Sequence, residues 1–392
     1  MRALETKGIR IGALGAGGFG LFALQQFTQI AGVELAAMGA THREAAVAMT
    51  RRFGLPDPMD MDALLAREDI NLVYIATPPF LHYAQAMSAL RAGKHVICEK
   101  PLAMDLAQAD EMIGLATEKN LLLIANLMQR YNPLFDIIRR LVESKALGEF
   151  IHGFFENYAS DEGLGADHWF WDRQKSGGIF IEHGVHFFDM FAGWLGHGEV
   201  VSAQRTLRLG ADSEEQVNCT VQYGQGSQVN FYHGFTQPGR MDRQEFRLLF
   251  ERGDVTLEEW VPVRARVRAI ADEKGTRDLM ELFPGARLDV SQVYGGKERA
   301  AFGRHKPLDI FQKIVLTYDP GKEKLHCYGE LLRKMLRDQI DWIHDRQHRR
   351  QVTEQNGRDS LAMAVEANRL AARARGQSSL FSPKTAAKKV QD

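Results

Sequence analysis

The sequence predicts a two-domain α/β protein: a doubly wound parallel sheet first, then an α+β domain with an open, mostly antiparallel sheet. Three observations predict it. A strand runs directly into the glycine-rich turn Gly15-Ala-Gly17-Gly18-Phe19-Gly20 and a helix. Near-continuous apolar runs then alternate with helical stretches as far as residue 127, the pattern of buried parallel strands. Beyond that point strand follows strand with few helices between.

The first strand covers 9–14 and the helix after the turn covers 21–31. Gly15 allows the tight turn, Gly17 lets the backbone approach a pyrophosphate, and Gly20 lets helix and strand pack closely. The helix start adds free N–H groups and the positive end of its dipole. Gly15, Gly17, Gly18, Phe19 and Gly20 are therefore expected to hold a dinucleotide. Further strands are expected at 33–40, 70–77, 95–99 and 121–127, with helices at 42–53 and 80–92 that end in Gly54 and Gly93. Asp105 is a natural N-cap for a helix reaching Lys119. These elements form a first domain, residues 1–127.

A second domain is expected over 128–381. It opens with a helix at 132–147, a long strand at 149–160 and a glycine-entered helix at 177–195. Strands follow at 200–208, 216–223, 227–235, 245–251 and 255–260, with a hairpin turn at 223–227. Residues 261–320 read as charged and irregular. Helix returns at 322–346, with Leu325, Leu332, Leu336, Ile340 and Ile343 on one stripe, and again at 358–375. Residues 382–392, rich in lysine, read as a flexible tail.

Composition narrows the function. The 392 residues are 45% hydrophobic and 25% charged, with a net charge of -1. That balance gives no general attraction to nucleic acid or anionic membrane. Three cysteines are too few and too scattered for a disulfide framework. No apolar stretch approaches the roughly 20 residues of a membrane helix. The expected location is cytoplasmic.

Two constellations can carry chemistry. Lys100, in Glu99-Lys100-Pro101, lies just past a buried strand, where open α/β sheets bind ligands. Glu182, His186 and Asp189 share one face of the 177–195 helix. An imidazole oriented by a carboxylate can take a hydroxyl proton. A metal reading of Glu182, His183 and His186 is disfavoured, since His183 lies about 100° from Glu182 around the helix. No metal is expected. Trp169, Trp171 and Arg173 precede the glycine pair Gly177-Gly178. Trp169 and Arg173 are expected to line a sugar site, although tryptophan at such spacing is as often core.

The glycine turn, Ala76-Thr77-Pro78-Pro79-Phe80-Leu81-His82, Glu99-Lys100-Pro101 and Gly177-Gly178 through Glu182, Gly184, His186 and Asp189 occur in order. Together they resemble the Gfo/Idh/MocA family, which includes glucose–fructose oxidoreductase and inositol dehydrogenase. The resemblance implies an N-terminal Rossmann domain, an α/β second domain whose open sheet mediates homodimers or homotetramers, and NAD(P)-dependent oxidation or reduction of sugars, anhydrosugars or cyclitols. It implies proton transfer by Lys100 and His186, with Glu182 positioning the substrate. Thr77, Pro78, His82, Glu99 and Lys100 join the expected cofactor set. The bond before Pro101 is expected to be cis.

Three departures stand out. Glu182 replaces the usual aspartate, Pro79 replaces an asparagine, and Gly39-Ala40-Thr41-His42-Arg43 lacks the acid that ends the second strand in NAD-preferring members. With Thr41 and Arg43 nearby, NADP is weakly favoured. Two alternatives compete: oxidation that enables elimination or glycoside cleavage with a recycled cofactor, and a non-catalytic nucleotide-sensing regulator. A regulator has no need of Lys100, Glu182 and His186.

Overall fold

A computed structural model describes residues 8–15, 17–39, 43–224, 226–303, 305–373 and 377–378. Ala40, Thr41, the Arg43 side chain and the tail expected at 382–392 lie outside that description.

The first sheet contains β1 (Ile9–Leu14), β2 (Val33–Gly39), β3 (Leu72–Ile75), β4 (His95–Cys98) and β5 (Leu123–Ala125). All pairs are parallel, in the order β2-β1-β3-β4-β5. Between the strands run α1 (Gly18–Phe27), α2 (Arg43–Arg52), α3 (Met61–Leu65), α4 (His82–Arg91) and α5 (Leu106–Glu118). The first helix begins at Gly18, three residues before its expected start at Leu21, so the glycines themselves form its first turn. Asp105 caps α5, accepting 2.9 Å from the Gln108 amide. In each strand apolar side chains bury on both faces, as a sheet covered by helices requires.

Asn132 caps α6 (Pro133–Ser144) and leads into β6 (Phe150–Ser160). Then come α7 (Arg173–Ser176), α8 (Val185–Leu195), β7 (Gly198–Leu207), β8 (Glu214–Tyr223), β9 (Ser227–Gln237), β10 (Arg243–Phe250) and β11 (Gly253–Glu258). β6 and β9 pair parallel. A parallel partner needs a long crossover, and α7, α8 and the β7–β8 hairpin supply it.

The region expected to be irregular is where the structure corrects the sequence reading. It contains β12 (Arg264–Ala271), α9 (Glu273–Leu282), β13 (Arg287–Val293), β14 (Ala300–Gly303), β15 (Lys306–Asp309) and β16 (Gln312–Tyr318). Along β12 the arginines 264, 266 and 268 face out while Ala265, Val267 and Ala269 bury. The alternation is real, but alanine carries it and arginine masks it. β12, β13 and β16 extend the second sheet to ten strands, ordered β13-β16-β12-β11-β10-β6-β9-β8-β7-β17, where β17 is Gln377–Ser378.

Two long helices, α10 (Lys324–His344) and α11 (Glu354–Arg373), close the chain. α10 packs on α1, and α11 packs on α5 and β5 as well as on α8 and β7. Leu332 and Leu336 are buried, but Leu325, expected on the same stripe, is exposed, because the first turn of α10 overhangs its packing surface. α8 is apolar nearly all round and lies between α6, α11 and the large sheet. Its Phe187 stacks on Phe155 with ring centroids 3.6 Å apart, and Phe188 and Phe191 meet Phe231 edge-on.

Candidate active site

The glycine turn is built by close approach on one side and open space on the other. Gly15 has φ +96°, and a Cβ there would stand 2.5 Å from the Ala76 carbonyl oxygen. A Cβ on Gly20 would stand 2.7 Å from that of Ala76. Above Gly17 and Gly18, by contrast, a Cβ would meet no atom within 4 Å. Gly17 caps α1 in extended conformation with no side chain over the first amides. A backbone cradle with unblocked N–H groups at a helix start fits a pyrophosphate.

The second crevice wall is a single braced unit. Thr77 donates to Gln85 Oε1 at 2.6 Å. His82 is buried at the start of α4, with Nδ1 2.7 Å from the Pro101 carbonyl and Nε2 2.8 Å from that of Thr77. It ties the Thr77-Pro78 loop to the tripeptide. The Lys100–Pro101 bond is cis. Glu99 is buried in the first domain, where Oε1 accepts from Tyr74 at 2.6 Å and from Asn126 at 2.8 Å. Burial pushes its carboxyl up, against those bonds. Glu99 thus braces the tripeptide from within.

Lys100 crosses to the second domain. Its ammonium donates to Glu182 Oε1 at 2.6 Å and to the Glu182 carbonyl at 2.8 Å. Gly177 and Gly178, with φ +81° and +88°, turn the chain into this segment. The turn Phe180–Gly184 is π-helical rather than α-helical before α8 continues. Such bulges often re-aim side chains at functional sites. His186 lies one turn on, buried, with Nδ1 unpartnered among the described residues and its ring centroid 5.8 Å from that of Trp260. Burial, then Lys100 and His183, push the imidazole well below its ordinary value.

The expected carboxylate-oriented imidazole is not what the structure contains. Glu182 engages Lys100. Asp189 accepts from Arg130 Nε at 2.9 Å and Nη2 at 2.8 Å. Both residues lie in the second domain, and the pair ties the segment just before α6 to α8. Arg173 lies 3.2 Å from Glu214, whose other oxygen accepts from the Ile179 amide at 2.8 Å. Trp169 lies beside His168, with ring centroids 5.0 Å apart and the planes tilted by 37°. Among the described residues no hydrogen bond, ion pair or ring contact joins Arg173 or Trp169 to Lys100, Glu182 or His186. No group of three or more His, Cys, Asp or Glu among them could hold a metal.

Two family domain models match the chain. One, described as an oxidoreductase family with an NAD-binding Rossmann fold, covers residues 9–127, and the other, the C-terminal domain, covers 135–256. The chain belongs to the Gfo/Idh/MocA family. It is 36% identical over 116 residues to a dTDP-3,4-didehydro-2,6-dideoxy-alpha-D-glucose 3-reductase of Actinomadura kijaniata, covering 30% of this chain and 35% of that relative. A glycosyl hydrolase family 109 protein of Shewanella sp. (strain W3-18-1) is 27% identical over 197 residues, 45% of this chain and 42% of its own. These matches span less than half of either relative. The WlbA dehydrogenase of Bordetella pertussis, solved with NADH and UDP-GlcNAcA, has the same fold: TM-score 0.74 over 94% of this chain and 96% of that one, at 19% identity.

Sequence reasoning missed two aromatic residues of this Gfo/Idh/MocA crevice. Tyr328 of α10 stacks on Phe19 of the glycine turn at 5.4 Å, and Trp260 meets Tyr328 edge-on at 5.0 Å. They form a wall from the glycine turn to His186. Trp260 ended an expected strand, yet its neighbours come from distant parts of the chain.

Proposed function

We propose that the protein is an NAD(P)-dependent dehydrogenase or reductase acting on a secondary alcohol of a sugar, anhydrosugar or cyclitol. The observation that carries this reading is the 2.6 Å contact between Lys100 of the first domain and Glu182 of the second, one turn from buried His186. The nicotinamide supplies hydride transfer with the carbinol carbon when bound. Gly15, Gly17, Gly18 and Gly20 would cradle its pyrophosphate through backbone N–H groups.

The protein's own groups handle the proton. His186 is held neutral, so it has a lone pair for the hydroxyl proton. Lys100 spends two donors on Glu182 and keeps a third for the reacting oxygen. Glu182 fixes the ammonium and leaves its second carboxylate oxygen for a neighbouring hydroxyl. The test is cofactor reduction, followed at the nicotinamide absorbance, across sugars, anhydrosugars and cyclitols. No reduction with any of them overturns the reading.

The likeness to a glycosyl hydrolase family 109 protein keeps a second reading in play: oxidation that enables glycoside cleavage. It differs in outcome, since product forms with no net reduced cofactor. A modest NADP preference follows from the absence of an acid in the stretch Gly39 to Arg43. Ala40→Asp is expected to shift paired kinetics toward NAD, and a strong wild-type preference for NAD contradicts it. The open face of the large sheet, where Ile151 and Leu249 are exposed, is the proposed homodimer or homotetramer surface.

A further inference from the structure

Behind the site lies a second pair of imidazoles that the proposed reaction does not use. His183 Nδ1 stands 3.1 Å from His233 Nδ1. His233 belongs to β9 and is fully buried among the rings of Phe155, Phe187 and Phe180, with centroids 5.3, 5.7 and 6.5 Å away. Among the described residues its Nε2 has no hydrogen-bond partner, and it lies over Gly184, where a Cβ would stand 3.8 Å away. His183 is only half-buried, set edge-on to Phe235 and adjacent in sequence to the carboxylate that grips Lys100.

A hydrogen bond between two ring nitrogens needs one N–H and one lone pair. Both rings are neutral at ordinary pH. Burial, helped by Lys100, pushes His183 down to about 3, and burial with His183 lowers His233 well below its usual value. Two tautomer assignments then remain. If His183 donates, His233 carries its proton on Nε2, a buried N–H with no acceptor, which forfeits its full desolvation cost. If His233 donates from Nδ1, its Nε2 is a bare lone pair among aromatic rings, the milder of the two orphans.

We infer that His233 donates to His183 and so locks the His183 proton on Nε2, presenting an N–H donor beside Lys100 to an oxygen of the substrate. This rests on the reading of Lys100 and His186 as the proton-handling groups. His183 follows directly on Glu182, whose carbonyl and carboxylate both accept from the Lys100 ammonium. His183 is then specificity-determining. It favours a ring oxygen, hydroxyl or carbonyl next to the reacting carbon, and disfavours a protonated amine there, which has no lone pair to offer.

Two-bond ¹H–¹⁵N correlation spectra of the full chain labelled at histidine read the tautomer directly. The expected wild-type spectrum shows His183 protonated at Nε2 and bare at Nδ1, with His233 the reverse. His183 protonated at Nδ1 overturns the proposal. In His233→Phe, which keeps an aromatic ring in the nest, His183 is expected to populate both tautomers. For a substrate found in the panel, His183→Phe is expected to raise KM about tenfold with kcat within about threefold, the size of one lost hydrogen bond. His183→Gln, which keeps an N–H donor, is expected to recover part of that. The loss should vanish for the deoxy analogue lacking the neighbouring oxygen, and equal losses on both compounds overturn the assignment. A panel with no substrate defeats the reaction reading, while the spectrum still decides the tautomer.

Discussion

Lys100 illustrates how little freedom a side chain at this site retains. Its ammonium is shared between the carboxylate and the carbonyl of Glu182, so two of its three donors are committed before substrate arrives. Pre-positioning of this kind replaces a search by a fixed geometry. Lys100→Met or His186→Ala is expected to cut turnover by about two to four powers of ten, the usual range for a positioned acid–base group. Cofactor affinity, measured by nicotinamide fluorescence titration, should barely move. The two losses should also be non-additive, because on the proposed reaction both groups act on one hydroxyl; full activity in either variant sinks the assignment. The glycine turn separates two kinds of substitution. Gly17→Val adds atoms only to the open space over the turn, so it should abolish cofactor binding in a protein that still folds. Unchanged titration contradicts this. Gly15→Val collides with the Ala76 backbone and should lower thermal stability as well.

At the scale of elements, α8 carries more than its polar motif. Phe187 stacks on Phe155 and meets Phe246 and His233, joining the site helix to the large sheet. Phe187→Ala is expected to cost about 3–5 kcal/mol, read as a drop in the denaturation midpoint. A cost below 1 kcal/mol in urea titration means the helix is held otherwise. The elements also show what sequence alone can carry. The five parallel strands were legible because each is a short apolar run between glycine-ended helices. Lys100, Glu182 and His186 were legible as types and spacing. Asp189 was misread because its partner, Arg130, is 59 positions away. β12 was missed because arginine alternating with alanine or valine resembles a charged loop until a neighbouring strand supplies the pairing, and β13 because it is exposed along nearly its whole length. Trp260 and Tyr328 carried no signal, since only tertiary packing makes them neighbours.

For the whole molecule, the buried histidines set an acid limit. His95, His183, His186 and His233 are all held below their ordinary value, chiefly by burial, with His95 at about 4 and His183 at about 3. Each stays neutral in the fold at pH values where the unfolded chain takes a proton. The unfolded state therefore binds more protons below pH ~6.5, and stability is full above that pH and lost as pH falls. Each group contributes a slope of about 1.4 kcal/mol per pH unit in that window. Tm is expected to be flat from pH ~7 to ~8 and to fall steeply from pH ~6 to ~4.5. A Tm that holds to pH ~5 by calorimetry refutes this.

The Lys100–Glu182 pair also bears on how such a molecule can diversify. On the proposed reaction, the group that meets the reacting oxygen is rooted in the cofactor half, while the carboxylate that aims it, His183 and His186 are rooted in the other. A substitution confined to the second half would then leave the cofactor half unaltered. On the same proposal, selectivity for one ring or another resides in the second half, through the reach of one acid and the tautomer of one imidazole. The extra methylene of Glu182 over an aspartate is a change of that kind: it resets the aim of an unaltered lysine without touching the cofactor half.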